Sequence, residues 1–118
     1  MRTYKVLTVR QPWAHLIIDG IKTVENRTWK TDYRGPIAIH AAASVCRETI
    51  EQFELDPDEL HFGAVIGIVE LADIVTQHRS PFFTGPFGWV LKKPRAMRPV
   101  PMRGQLKLFT ASLNLRHR

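Results

Sequence analysis

A single cysteine, Cys46, is all the thiol chemistry in this 118-residue chain. No internal disulfide can form, and one cysteine cannot build a structural zinc site by itself. Long apolar runs are lacking too. The longest, Gly63 to Val69, stops at Glu70, far short of the roughly 18 residues that mark a transmembrane helix. Met1-Arg2-Thr3-Tyr4-Lys5 leads straight into Val6-Leu7-Thr8-Val9-Arg10 without the continuous apolar core of a signal peptide. There is no glycine-rich phosphate loop, no nucleophile elbow and no Cys/His pair of known signature. Five scattered histidines show no metal-ligand spacing. These absences predict a soluble cytoplasmic domain with no membrane partner, no metal and no cofactor.

Acid is also missing from a whole stretch of the chain. Every one of the 11 Asp and Glu residues lies at or before Asp73. Residues 1–73 hold 8 basic and 11 acidic groups, a sum of −3, whereas residues 74–118 hold 9 basic groups and no acid, a sum of +9. A one-sided positive field is the electrostatic footprint of a polyanion-binding protein, because lysines and arginines release counterions from phosphates. The alternative is a solvated basic surface that keeps the protein soluble.

With 44% hydrophobic and 24% charged residues the chain is of globular composition, and its length suits one domain. Residues 1–110 are expected to form that domain, with 111–118 a basic C-terminal tail that frays. Tyr4 to Val9 alternates Val6 and Thr8 with Leu7 and Val9, a first strand. Pro12 suits the first turn of a short helix whose apolar face is Trp13, Leu16 and Ile17, and Asp19-Gly20 stops it. Lys22 to Trp29 and Pro36 to Ala42 read as further strands, separated by a turn at Tyr33-Arg34-Gly35-Pro36. A second helix is expected over Ser44 to Leu55, with Ser44 as N-cap, Ile50 and Phe53 facing inward, and Asp56-Pro57 ending it. Gly63 to Val75 reads as a long strand bent at Gly67, and Pro81, Gly85 and Pro86 as an irregular loop. Phe87 to Lys92 and Gln105 to Thr110 are the last strands, joined by a proline-rich basic connection, Lys93 to Gly104. The pattern predicts an α+β fold: a small mixed β-barrel of about six strands with two or more short flanking helices.

The densest polar group is Lys22-Thr23-Val24-Glu25-Asn26-Arg27-Thr28-Trp29. In an extended strand Thr23, Glu25, Arg27 and Trp29 share one face and Lys22 points to the other, unless a bulge brings Lys22 to the Glu25 side. Glu25 and Arg27 are either a structural ion pair or, if their face lines a cavity, an acceptor and a planar donor fork suited to a nucleotide. Trp29, at a strand end beside cations, offers a ring on which a base could stack. Trp13 and Trp89 read as core residues by their periodicity. His40 reads as a satisfied core or rim histidine, with acid–base work as the alternative. Glu70 interrupts an apolar strand. It either points to solvent or is buried against a cation, in which case it is a remote candidate for the cavity.

Three ordered stretches together resemble the ASCH domain family: Leu7-Thr8-Val9-Arg10-Gln11-Pro12-Trp13-Ala14, Gly20 to Trp29, and Tyr33 to Ala41. Gly63 to Leu71, Gly85 to Leu91 and Val100 to Leu106 are similar to small bacterial and prophage members. The resemblance implies a PUA-like barrel, whose relatives bind RNA or recognise modified bases. It also implies a cleft rimmed by the Gly-x-Lys-Thr-x-Glu-x-Arg segment. By that likeness Lys22, Glu25 and Arg27 are the leading cleft residues, with Arg10, Gln11 and Arg34 next. One enzymatic branch of the wider family hydrolyses an acetylated cytidine with a Lys, a Thr nucleophile and a Glu. Its Lys-Thr-x-Thr-x-Arg run would match Lys22 to Arg27, but Glu25 stands where that branch has its second Thr. Other members are described as ribonucleases.

Together these readings lead to an RNA- or nucleotide-binding domain. Arg10, Gln11, Lys22, Glu25, Arg27, Trp29, Arg34 and Glu70 are its candidate ligand-binding residues. The alternative is a small hydrolase acting on RNA or on a modified nucleoside, with Lys22 and Glu25 as its catalytic pair. Oligomeric state is not legible in the sequence.

Overall fold

β1 (Arg2–Gln11) is buried on both sides, which places it inside a sheet rather than at its edge. Because successive strand residues face opposite ways, Leu7 and Val9 join one core cluster while Val6 joins another. In the computed structural model, which describes residues 1–45 and 47–118, β1 pairs in parallel with β3 (Gly35–Val45) and antiparallel with β6 (Leu108–Leu113). Cys46 lies outside the described residues. β4 (Ala64–Val75), β5 (Phe87–Pro101) and β2 (Val24–Arg27) continue the sheet antiparallel, in the order β2-β5-β4-β3-β1-β6. The six strands and two short helices agree with the sequence reading. The barrel, however, stays open, since β2 and β6 are edge strands that do not pair with each other.

The larger core cluster centres on Leu7, Ile37, Ile39, Leu71 and the fully buried Trp89. Ala14, Leu16 and Ile17 of α1 (Trp13–Ile18) are buried, and Ala14 and Ile17 join that cluster. The expected stop is a two-bond helix-ending motif: Gly20 N donates to Ile17 O and Ile21 N to Leu16 O, both at 3.0 Å, with Gly20 at φ +81°. Close seating of α1 on β4 explains Gly67. A Cβ there would lie 2.5 Å from Ile18 Cδ1 and 2.7 Å from the Arg95 carbonyl. The bend expected at Gly67 is realised as register shifts on both sides of it against β5. An extra β4 residue, Ile66, also stands between the pairs Val65–His40 and Gly67–Ile39.

Several element boundaries differ from expectation. β5 runs straight through the segment read as a proline-rich connection. Pro94 and Pro99 fall inside register shifts, where a missing N–H costs no ladder bond. β3 extends to Val45, which pairs with Gln11, so Ser44 is a strand residue and not a helix cap. α2 is shorter than expected, Arg47–Gln52, and closes with Leu55 N on Ile50 O and Glu54 at φ 53°. The segment expected as a tail carries pairing of its own. β6 reaches the buried Leu113, Arg98 N donates to Arg116 O at 2.8 Å, and Met97 bridges His117. Among the described residues no helix is long and apolar enough to cross a membrane.

Candidate functional site

The end of β1, the start of α1, the edge strand β2 and the loop before β5 enclose a cleft of ≈ 990 Å³. That volume is at the upper end of the roughly 300–1,000 Å³ typical of small-molecule sites. Its polar side is the run singled out in the sequence. Lys22 follows the α1 stop and precedes the first β2 residue, so strand alternation does not bind it. Its Nζ swings to the Glu25 side, donating to Glu25 Oε1 and the Val24 carbonyl, each at 2.6 Å. Glu25 Oε2 accepts from Arg27 Nη2 at 2.9 Å, and the same nitrogen donates to the Thr8 carbonyl at 2.7 Å. One carboxylate thus lies between two cations, with Lys22 only 4% exposed, Glu25 11% and Arg27 21%.

Electrostatics follow from that arrangement. Burial pushes the Lys22 ammonium below its usual value, and the neighbouring Glu25 carboxylate counteracts the shift without cancelling it. Arg27 is held from two sides, yet its buried Nε has no protein acceptor. A buried unpaired donor costs about 1–3 kcal/mol, so folding energy alone does not explain where this guanidinium sits.

The cleft's opposite wall is aromatic. Trp13 meets Phe53 and Phe82 edge-on at 6.3 and 6.1 Å, and Phe53 stacks with Phe82 at 5.8 Å. Trp13 therefore serves the core and the cleft together. The loop carrying Phe82 is fastened by Asn26, whose side chain donates to Phe82 O at 2.8 Å and accepts from Thr84 N and Gly85 N. Trp29 also lines the cleft, edge-on to Trp89 at 4.7 Å, with Lys107 Nζ 4.8 Å above its ring.

Arg10, Lys22, Glu25, Arg27 and Trp29 therefore share one cavity. Three other candidates lie elsewhere. Gln11 is fully buried and bolts the fold, accepting from His15 N at 2.9 Å and donating to His61 O at 2.8 Å. Arg34 is exposed at the 31–36 turn, bonded to the Thr31 and Tyr33 carbonyls and 3.9 Å from Asp73. Glu70 is 41% exposed and faces Lys93 at 3.8 Å on the β4–β5 surface, so it points outward and not into a cavity. Sequence reading missed Thr8, Phe53, Phe82 and the bridging role of Asn26. The one local hint was the pair Phe82-Phe83 in a loop, where no helical or strand face explains two aromatics. His40 is satisfied: its Nε2 faces the Met102 carbonyl at 2.7 Å, so Nε2 carries the proton and Nδ1 accepts from the Thr8 hydroxyl at 3.2 Å. All nine basic residues beyond Asp73 are exposed, and among the described residues only Lys93 is paired with a carboxylate.

The pattern spanning this cleft matches the ASCH domain over residues 7–86, more than half of the chain. The chain belongs to the ASCH domain family. It is 29% identical over 124 residues to human activating signal cointegrator 1 and 30% identical over 125 residues to the mouse protein. Each match takes in 87% of this chain but only 21% of the relative, so the chain spans about a fifth of their length. The solved ASCH structure from Zymomonas mobilis superposes with a TM-score of 0.61 at 18% identity, covering 93% of this chain and 87% of that one. A point mutant of that protein gives a TM-score of 0.60 with the same identity, covering 93% of this chain and 89% of the mutant's. At that identity the likeness speaks for the fold. ASCH membership thus accounts for the mixed sheet and short helices, while the chemistry of the cleft rests on the residues described above.

Proposed function

We propose that this ASCH domain binds RNA or a modified nucleotide, holding one base in the cleft while the basic second half follows the backbone. The observation that supports this most directly is the Lys22–Glu25–Arg27 chain opposite the Trp13, Phe53 and Phe82 wall. It sets a fixed carboxylate and guanidinium against an aromatic surface, the combination that reads a base edge and packs its face. Both tryptophan rings of the cleft already face a lysine, Lys22 Nζ 5.8 Å from Trp13 and Lys107 Nζ 4.8 Å from Trp29. Eight exposed cations beyond Asp73 that have no carboxylate partner among the described residues supply phosphate contacts.

The test is fluorescence anisotropy of a labelled single-stranded RNA across a salt series. Binding should weaken with a log–log slope of roughly −0.7 for each phosphate contacted. Arg27→Ala should cost more affinity than Arg118→Ala. Equal losses from the two would remove the cleft from the account.

One observation favours a second reading, a small hydrolase acting on RNA or a modified nucleoside. Lys22 is a buried amine with a pKa lowered by burial, in contact with Glu25, a pairing of the kind used for acid–base work. Recovering the RNA probe on a denaturing gel tests backbone cleavage, and chromatography of a modified nucleoside after incubation tests the other substrate. A shortened probe or a new nucleoside that disappears with a folded Lys22→Ala protein would make the domain a hydrolase, and both left intact supports binding alone.

A further inference from the structure

The polar network of the cleft continues through β1. On one side of the strand the Thr8 carbonyl accepts from Arg27. On the other its hydroxyl meets His40 Nδ1 at 3.2 Å. That hydroxyl lies in the wall of a second cavity of ≈ 500 Å³, enclosed by the end of β3 and the loop between β5 and β6. Thr8, His40, Ala42, Met102, Gly104 and Leu106 are among its lining residues.

The loop is held in place at two points. Met102 O accepts from His40 Nε2 at 2.7 Å, and a Cβ on Gly104 would come within 2.8 Å of Thr8 Oγ1 and 2.9 Å of His40 Cε1. Beyond those points it turns through Lys107 at φ 64°, which places Nζ over Trp29 in the first cleft. One short loop therefore walls the second cavity and reaches the first. Leu106, at its rim, is 91% exposed and serves no core.

We propose that this cavity is a second nucleotide subsite, taking the neighbour along a single strand of the nucleotide held in the cleft. The proposal rests on the nucleotide reading of the cleft. Charge supports it. Arg10 lines the cleft, Arg103 lines the cavity, and Lys107, on the same loop as Arg103, reaches Trp29 in the cleft. All three are exposed, and none is paired with a carboxylate among the described residues. A phosphate joining two nucleotides would have a cation from each cavity to pair with. The cavity's chemistry fixes what kind of contact it makes. Both His40 nitrogens are engaged and Ala42, Met102 and Leu106 are apolar, so these residues pack a base or sugar face, while Arg103 and Gln105 supply the cavity's free polar side chains.

The test combines affinity with backbone-amide NMR, using a short mixed-sequence single-stranded RNA and a mixture of nucleoside monophosphates. Leu106→Ser alters an exposed side chain and should leave the fold intact. It should weaken RNA binding about five- to hundredfold, the range for losing one packed base. Monophosphate shifts at Arg27 and Trp29 should stay as in the unmodified protein. RNA should shift the amides of Gly104 and Leu106 together with those of the cleft. An RNA that moves the cleft amides but not Gly104 and Leu106, or a Leu106→Ser protein of unchanged affinity, overturns the subsite. Loop amides that respond to an acidic peptide and not to RNA overturn it too, in favour of a protein partner. Arg27→Ala with undiminished affinity for both probes would instead remove the cleft reading on which the subsite rests.

Discussion

Among the described residues Glu25 is the only carboxylate bonded to Lys22 and Arg27, and neutralising it tests the site's energetics directly. In Glu25→Gln the side chain keeps its shape, but one face becomes an amide N–H₂ that opposes either Lys22 or Arg27 with a donor. Two cations then share one neutral carbonyl oxygen, and where the amide faces Lys22, at 4% exposure, that ammonium keeps only the Val24 carbonyl. Removing one member of a buried ion pair costs about 3–5 kcal/mol, and the partial exposure of Arg27 lowers the expectation here to about 2–4 kcal/mol. The loss should depend on pH. Burial already holds the Lys22 pKa below 10.5 in the folded state, so between its folded and unfolded values the unfolded chain binds more protons and stability rises with pH. Without Glu25 the folded value falls further, and the window opens at lower pH. Urea unfolding of both proteins at about pH 7 and about pH 9.5 should therefore show a deficit that shrinks as pH rises. Adding Lys22→Met should recover most of it, because an apolar stem of similar length leaves no buried charge. A deficit that is absent, or that grows toward high pH, would refute this account of the triad.

Other substitutions test the scaffold. Gly67→Ala drives a methyl against Ile18 and the Arg95 carbonyl, so chemical denaturation should show a loss of about 1–3 kcal/mol; an unchanged midpoint would mean α1 is not seated as described. Asn26→Ala removes three hydrogen bonds to the 82–85 loop. It should cost about 1–3 kcal/mol, with hydrogen exchange at Thr84 and Gly85 accelerating while the core strands stay protected. Lys107→Met should cost no more than about 1 kcal/mol, the scale of an exposed cation–π contact. Its clearer readout is a shift in tryptophan emission as the Trp29 ring is uncovered.

Local pattern determined a good deal here. Period-two alternation in Tyr4 to Val9 and the Gly63–Val75 run marked strands that exist, because a residue facing a core every second position has little choice of conformation. Gly20 marked the end of α1, since a left-handed residue closes a helix with the two bonds found there. Trp89 and its alternation with Leu91 marked the core, and the missing acids after Asp73 marked an exposed basic half. The Lys22–Arg27 run was legible as a polar cluster. Its geometry was not, because Lys22 lies before the first β2 residue, Val24, and is freed from the strand's alternation.

Tertiary structure alone decided the rest. Trp13, Phe53 and Phe82 are 40 and 29 residues apart along the chain and meet only because the sheet order brings α1, the segment after α2 and the loop before β5 to one end. The same order carries Glu70 and Arg34 to an outer surface and turns Gln11 into an internal bolt. Prolines 94 and 99 misled the strand assignment, because a bulge that excuses a missing N–H is a property of two paired strands and is written in neither one alone. Long-range pairing of this kind is selected by the total burial of both core clusters, a quantity no short window of sequence contains.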